Sequence, residues 1–130
     1  MSSRILVIKE SPKIISLIMN KHSTRLAKVR FSPPPTNTNI DDTVAYLHHI
    51  NVNPFHRNKQ LGSLMLREMN TYLKKNTLTE TVRGVLWDDT TNPYLSSFFC
   101  KNGYTLNLEE QSIYDDGEKI FEITPIERHL

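Results

Sequence analysis

The residues best equipped for chemistry lie in one stretch, Leu47-His48-His49-Ile50-Asn51-Val52-Asn53-Pro54-Phe55-His56-Arg57-Asn58-Lys59-Gln60-Leu61-Gly62-Ser63. Here an apolar, strand-like run ends at Pro54 and a helical apolar pattern begins near Leu61. The connection carries two cations, Arg57 and Lys59, and leads into the small residues Gly62 and Ser63. A strand that feeds a helix N-terminus through such a loop builds an anion site. The first-turn N–H groups have no intrahelical acceptor, and the helix dipole favours negative charge there.

A second stretch, Asn92-Pro93-Tyr94-Leu95-Ser96-Ser97-Phe98-Phe99-Cys100-Lys101-Asn102-Gly103-Tyr104, follows about thirty residues later. The first stretch resembles motif A of the GNAT superfamily of N-acetyltransferases, a strand ending in hydrophobic-x-Val-x-Pro and then Arg/Gln-x-x-Gly-x-Gly/Ala. The second resembles motif B, Asn, a short helix, then Phe-Tyr-x-Lys-x-Gly-Phe. The likeness covers roughly residues 46–104. Two positions depart from it: Gln60 stands where the family usually has its first glycine, and Phe99 stands at the motif B tyrosine.

The resemblance implies an acetyl-coenzyme A site. The backbone of Ile50, Asn51 and Val52 would pair with the pantetheine arm like an added strand. Arg57, Asn58, Lys59, Gln60, Leu61, Gly62 and Ser63 would hold the pyrophosphate. Asn92 would cap the second helix and reach the pantetheine, and Phe99 would pack on the cysteamine end. His48 aligns with a histidine of arylalkylamine N-acetyltransferases. Histidine's reference pKa near 6.5 suits a base that takes a proton from an amine. His49 reads as structural and His56 as exposed. Gln60 in left-handed geometry would cost about 1 kcal/mol of strain. Phe99 has no proton to give the leaving thiolate, so Ser96, one turn earlier, is placed to hold a water for that purpose. Cys100 reads as a packed small side chain, since no basic partner lies beside it.

The elements that must position these groups read as follows. Arg4 to Lys9 is an apolar, β-branched strand. Ser11-Pro12 reads as an N-cap and first helical residue, opening a helix through Ile14, Ile15, Leu17, Ile18 and Met19. Leu26 to Phe31 alternates as a strand, and the prolines of 32–39 make an exposed loop. Thr43 to Asn51 is the strand of the first stretch, with Tyr46, His48, Ile50 and Val52 on one face by alternation. Leu61 to about Lys75 is a buried helix. Thr81 to Trp87 is a strand and Pro93 to Asn102 a short helix ended by Gly103. Tyr104 to Leu108 and Lys119 to Ile123 close as a pair around Asp115-Asp116-Gly117. The fold class is therefore α/β: one domain over residues 1–130, a GNAT-like mixed sheet flanked by helices. Its N-terminal part is short, since the family usually has two helices and further strands before motif A and only about forty residues precede it here.

Composition narrows the partners. Hydrophobic content of 38% with 23% charged residues suits a soluble domain. A net charge of +2 does not argue for nucleic acid or an anionic membrane. The single cysteine excludes an intrachain disulfide and points to a reducing compartment. No apolar run approaches 20 residues and no secretory leader pattern opens the chain, so the expectation is an intracellular protein of the cytoplasm, with the nucleus left open. Metal-ligand spacing is absent and no metal is expected. The function implied is transfer of acetyl from acetyl-coenzyme A to an amine: a protein N-terminus, a lysine or a small amine. A homodimer is left open. The alternative class is a GNAT-fold binding or regulatory protein without chemistry, favoured by Gln60, Phe99 and the short N-terminal third.

Overall fold

The computed structural model describes residues 4–35, 43–90 and 94–130, with residues 57–59 described by their backbone alone. The chain begins with three antiparallel strands: β1 (Arg4–Ser11), β2 (Ile14–Lys21) and β3 (Thr24–Ser32). Next come β4 (Val44–Val52), a 3₁₀ turn (Pro54–Lys59), helix α1 (Leu61–Asn76) and β5 (Thr81–Asp89). Helix α2 (Leu95–Lys101), β6 (Thr105–Leu106), β7 (Ser112–Asp115) and β8 (Ile120–His129) complete it. The sheet order is β1-β2-β3-β4-β5-β8-β6, with β7 also on β8. β4 and β5 are parallel, joined by the α1 crossover, and the remaining pairs are antiparallel. This is the expected mixed α/β sheet flanked by helices.

Residues 14–19 correct the expectation of a helix: they form β2, the strand next to the edge. Ile15, Leu17 and Met19 face α1 in the main core, while Ser16 and Ile18 are buried on the other face. A strand buried on both faces shows no alternation, so its apolar run imitates a helix. The Ser11 hydroxyl does accept a backbone bond, from Lys13 N at 3.2 Å, but in the hairpin turn between β1 and β2. Among the described residues no helix precedes β4, and three strands do. On the face away from α1, the Glu10 carboxylate ties three strands together. It accepts from Ser16 Oγ at 2.6 Å and Arg30 Nε at 3.0 Å, with Lys28 Nζ at 3.7 Å.

Other boundaries moved less. Pro33–Pro35 lie outside any strand, yet Pro34 is buried, not exposed; residues 36–42 lie outside the described ones. Gly103 ends α2 at φ 89°, the left-handed position expected of it. The Asp115–Gly117 turn joins β7, not β6, to β8. Both helices pack on one face and touch where Phe98 of α2 meets Gly62 of α1.

Candidate active site

The site begins at an irregularity in β4. Arg30 of β3 lies opposite His49 and Phe31 opposite Leu47, so His48 is an extra residue in a β-bulge. The bulge resets the alternation. Ala45, Leu47, Ile50 and Val52 turn toward the core, while Tyr46, His48, His49 and Asn51 are exposed. Tyr46 and His48 therefore do not share a face with Ile50 and Val52, contrary to simple alternation. A bulge also bends its strand. Pairing of β4 with β5 stops at Tyr46 opposite Arg83, and the two strands part beyond it. At the apex Gly84 lies so close to the Leu47 carbonyl that a Cβ there would be 3.2 Å from the oxygen.

Beside the freed edge of β4 is a groove of about 430 Å³. One wall is the edge of β4 at Ile50, Asn51 and Val52. Its floor is the head of α1 at Gln60, Gly62 and Ser63, and its far wall is Tyr94, Leu95, Phe98 and Lys101. Asn53 fixes the turn from β4 into this head. Its Oδ1 accepts from Phe55 N at 3.0 Å, and its Nδ2 donates to the Arg25 carbonyl at 3.1 Å. Gln60 takes the left-handed conformation, φ 56° and ψ 27°, with no side-chain cap bond. Leu64 N donates to the Gln60 carbonyl at 3.1 Å, the first turn of the helix. The N–H groups of Leu61, Gly62 and Ser63 precede that bond and have no acceptor within the helix.

Of the sequence-predicted binding residues, the structure thus brings Ile50, Asn51, Val52, Gln60, Gly62 and Ser63 together. Leu61 turns its side chain against the core instead. Arg57, Asn58 and Lys59 lie in the 3₁₀ turn just before the groove, with only their backbone described. Asn92 lies outside the described residues. Phe99 is corrected: it is 3% exposed in the core, edge-on to Phe98 and Tyr104, and Phe98 is the ring at the groove wall. Gly62 is not simply a surface residue. A Cβ there would stand 3.0 Å from Phe98 Cζ, so this glycine lets the second helix close on the first.

Three further residues depart from expectation. Ser96 donates its hydroxyl to Asp88 Oδ2 at 3.0 Å, and its N–H points to the same oxygen at 3.3 Å. These two bonds make Ser96 a clamp on the start of α2. Cys100 is exposed, not packed. His56 is half-buried, not exposed. Sequence reasoning missed Tyr94, Leu95 and Lys101 in the groove wall. The spacing 94, 98, 101 is helical and would have found two of them once Phe98 was chosen over Phe99. It also missed Asp88, 3% exposed at the end of β5, whose other oxygen Oδ1 has no partner.

His48 lies on the outer side of the bulge, its Nε2 2.6 Å from Ser32 Oγ. A second cavity of about 620 Å³ adjoins this side, lined in part by Tyr46, Arg83, Val85, Glu110 and Glu127, with Arg83 Nε 3.4 Å from Glu127 Oε2. Among the described residues no group of His, Cys, Asp or Glu side chains is placed to hold a metal ion. No helix among them is long and apolar enough to cross a membrane.

The stretch that forms this site, from β4 through α2, lies inside a family match. Residues 3–104 fit the model of the acetyltransferase (GNAT) family. The chain belongs to that family. No curated protein matches it. Solved GNAT-type structures share the fold at low identity. The IAA acetyltransferase from Bacillus cereus is 11% identical, with a TM-score of 0.72 over 99% of this chain and 100% of its own. A Bacillus subtilis acetyltransferase in complex with CoA is likewise 11% identical, with a TM-score of 0.72 over 99% of each chain. The ribosomal-protein-S18-alanine N-acetyltransferase of Escherichia coli is 13% identical, with a TM-score of 0.70 over 93% of this chain and 72% of its own. In this GNAT chain the departures from the motifs fall at two places, the left-handed Gln60 and the hydroxyl-free Phe99.

Proposed function

We propose that this GNAT protein transfers an acetyl group from acetyl-coenzyme A to an amine. The observation that carries the reading is the unpaired β4 edge at Ile50–Val52 leading to the bare N-terminus of α1. An extended amide chain ending in pyrophosphate has the two recognition elements this groove offers: partners for backbone N–H and C=O groups, then convergent N–H donors. Arg57 and Lys59 bring positive charge to the turn before it, and Lys101 adds a cation on the far wall. The coenzyme supplies an activated thioester. Phe98 and Val52 wall the groove with apolar surface.

The acceptor amine reaches the apex from the outer face, where His48 and the cavity over Tyr46 and Glu127 lie. His48 acts as base in partnership with Ser32. The hydroxyl donates to Nε2 while its lone pairs accept from the amine, so one proton moves to the ring as another leaves the substrate for the hydroxyl. The departing thiolate takes its proton from solvent, because Phe98, the ring of α2 on the groove wall, carries no hydroxyl. That absence favours a second reading, a coenzyme-binding GNAT fold without turnover. Calorimetry with acetyl-coenzyme A, followed by thiol release on peptide and small-amine panels, separates the outcomes. Binding with amine-dependent thiol release is expected. Binding without release on any amine moves the protein to the second reading, and no binding removes both.

A further inference from the structure

We propose that two copies of this chain pair antiparallel along β1, with a two-fold axis at Val7. Among the described residues β1 is the outermost strand of the sheet and pairs only with β2. Its middle is apolar and open on both faces: Leu6 is 40% exposed, Val7 49% and Ile8 42%. An edge strand normally carries some device against pairing, such as an inward charge, a proline or a bulge in its middle. Here there is no proline from Arg4 to Ser11, and the register shift lies at the far end, between Lys9 and Ser11. The backbone ladder of Arg4 to Ile8 is therefore available to another strand.

The strand's own sequence selects its occupant. Laid antiparallel on itself about Val7, it sets Val7 against Val7, Leu6 against Ile8, Ile5 against the stem of Lys9, and Arg4 against Glu10. Cross-strand neighbours are then apolar with apolar at the centre, the pairing that stabilises a ladder, and opposite charges meet at both rims, where the bulge at Glu10 ends the regular register. Moving the register by two residues either way puts Arg4 against Ile8, or Glu10 against Leu6 and Lys9 against Val7. No other register of the strand on itself sets Arg4 against Glu10. Lys28 and Arg30 already sit on Glu10. The Arg4 contact is thus a rim contact that fixes register more than affinity. The pairing is isologous, so it closes at two copies. β4 and β5 lie three and four strands inward, so the coenzyme groove stays open in the pair.

A ladder this short buries less than a standard interface, and the expected dissociation constant is about 10–100 μM. Sedimentation equilibrium across that range should show a monomer–dimer equilibrium. Val7→Lys, which places two ammonium groups on the axis, should weaken it at least about tenfold. Register is read by cross-linking under mild oxidation in a Cys100→Ser background, which removes the exposed native thiol. Val7→Cys should link to itself. Leu6→Cys and Ile8→Cys should each fail alone, because like positions lie about two residues apart along the ladder, beyond disulfide reach. A one-to-one mixture of those two variants should link. A monomer at millimolar concentration, a dimer indifferent to Val7→Lys, or cross-linking that ignores this pattern would each overturn the proposal.

Discussion

Replacing Gln60 by glycine should raise stability and leave coenzyme affinity unchanged. Gln60 holds φ 56° and ψ 27° before any coenzyme is present. That conformation crowds the Cβ of an L-residue against the next carbonyl and costs about 1–2 kcal/mol. Glycine escapes the crowding but gives up about 0.5–1 kcal/mol of extra chain entropy on folding. The net gain is about 0.5–1 kcal/mol. For a chain of 130 residues, an unfolding entropy of ~2.1 cal/mol/K per residue converts this to a rise of about 2–4 °C in Tm. Because the strain belongs to the free fold, binding does not add it, and Kd for acetyl-coenzyme A should stay within about twofold. If the strain arose only on binding, its relief would tighten Kd about fivefold instead. Circular-dichroism melting and calorimetric titration of the same preparations decide the matter. Gln60→Asn serves as a second variant that keeps an amide and tolerates the left-handed region better. Five- to tenfold tighter binding with an unchanged Tm would refute the reasoning.

Three further outcomes are expected. Burial pushes the Tyr104 hydroxyl up to about 12, partly offset by Arg128, and the group has no hydrogen-bond partner. Its contribution to stability is full below the ordinary tyrosine value of 10 and is lost as pH rises from 10 toward 12, roughly 2–3 kcal/mol in all. Tyr104→Phe should therefore stabilise by about 1 kcal/mol at pH 7 and remove that alkaline loss; a parallel denaturant series for both proteins from pH 8 to 12 that shows no divergence above 10 counts against it. As a hypothesis from the 2.6 Å pair, His48→Gln should lower kcat/KM about 10²-fold and Ser32→Ala several-fold, neither changing coenzyme Kd; full activity in both leaves amine deprotonation to water. Asp88→Ala removes the acceptor that Ser96 uses twice at the start of α2, so it should cost about 1–2 kcal/mol and weaken coenzyme binding through the loosened Phe98; unaltered binding in a destabilised variant would separate the clamp from the groove.

The strand-loop-helix at the centre was legible because several local rules agree there. Pro54 stops a strand, Gly62 allows a close approach, and Leu61, Met65, Met69, Tyr72 and Leu73 recur at helical spacing. α2 was legible through its aromatic pair and Gly103. The failures share a cause: burial on a side that a one-dimensional pattern does not show. Residues 14–19 are apolar on both faces of a strand, so the period-two trace vanished. Phe98 and Phe99 differ by about 100° around a helix. Which one meets the groove depends on Gly62, in a different element. β7 is exposed throughout, so no apolar alternation announced it, and the turn after it was assigned to the wrong strand.

The bulge at His48 left no local mark, yet the side chains around it explain why it forms. Strict alternation from Ala45 would send Leu47, His49 and Asn51 into the core and leave Ile50 and Val52 outside. Burying a histidine and an asparagine without partners costs roughly 1–3 kcal/mol each, while Ile50 and Val52 would forfeit contacts with the core. One extra residue reverses both losses, because it shifts every later side chain to the opposite face. The same residue bends β4 away from β5, so the backbone loses its parallel neighbour where the apolar side chains turn inward. The open edge of the groove and the burial of Ile50 and Val52 are thus two results of a single insertion. His48, the inserted residue, is left on the outer face beside Ser32, where an acceptor amine would arrive. Groove wall, buried Ile50 and Val52, and candidate base are positioned together by the energetics of two polar and two apolar side chains on one strand.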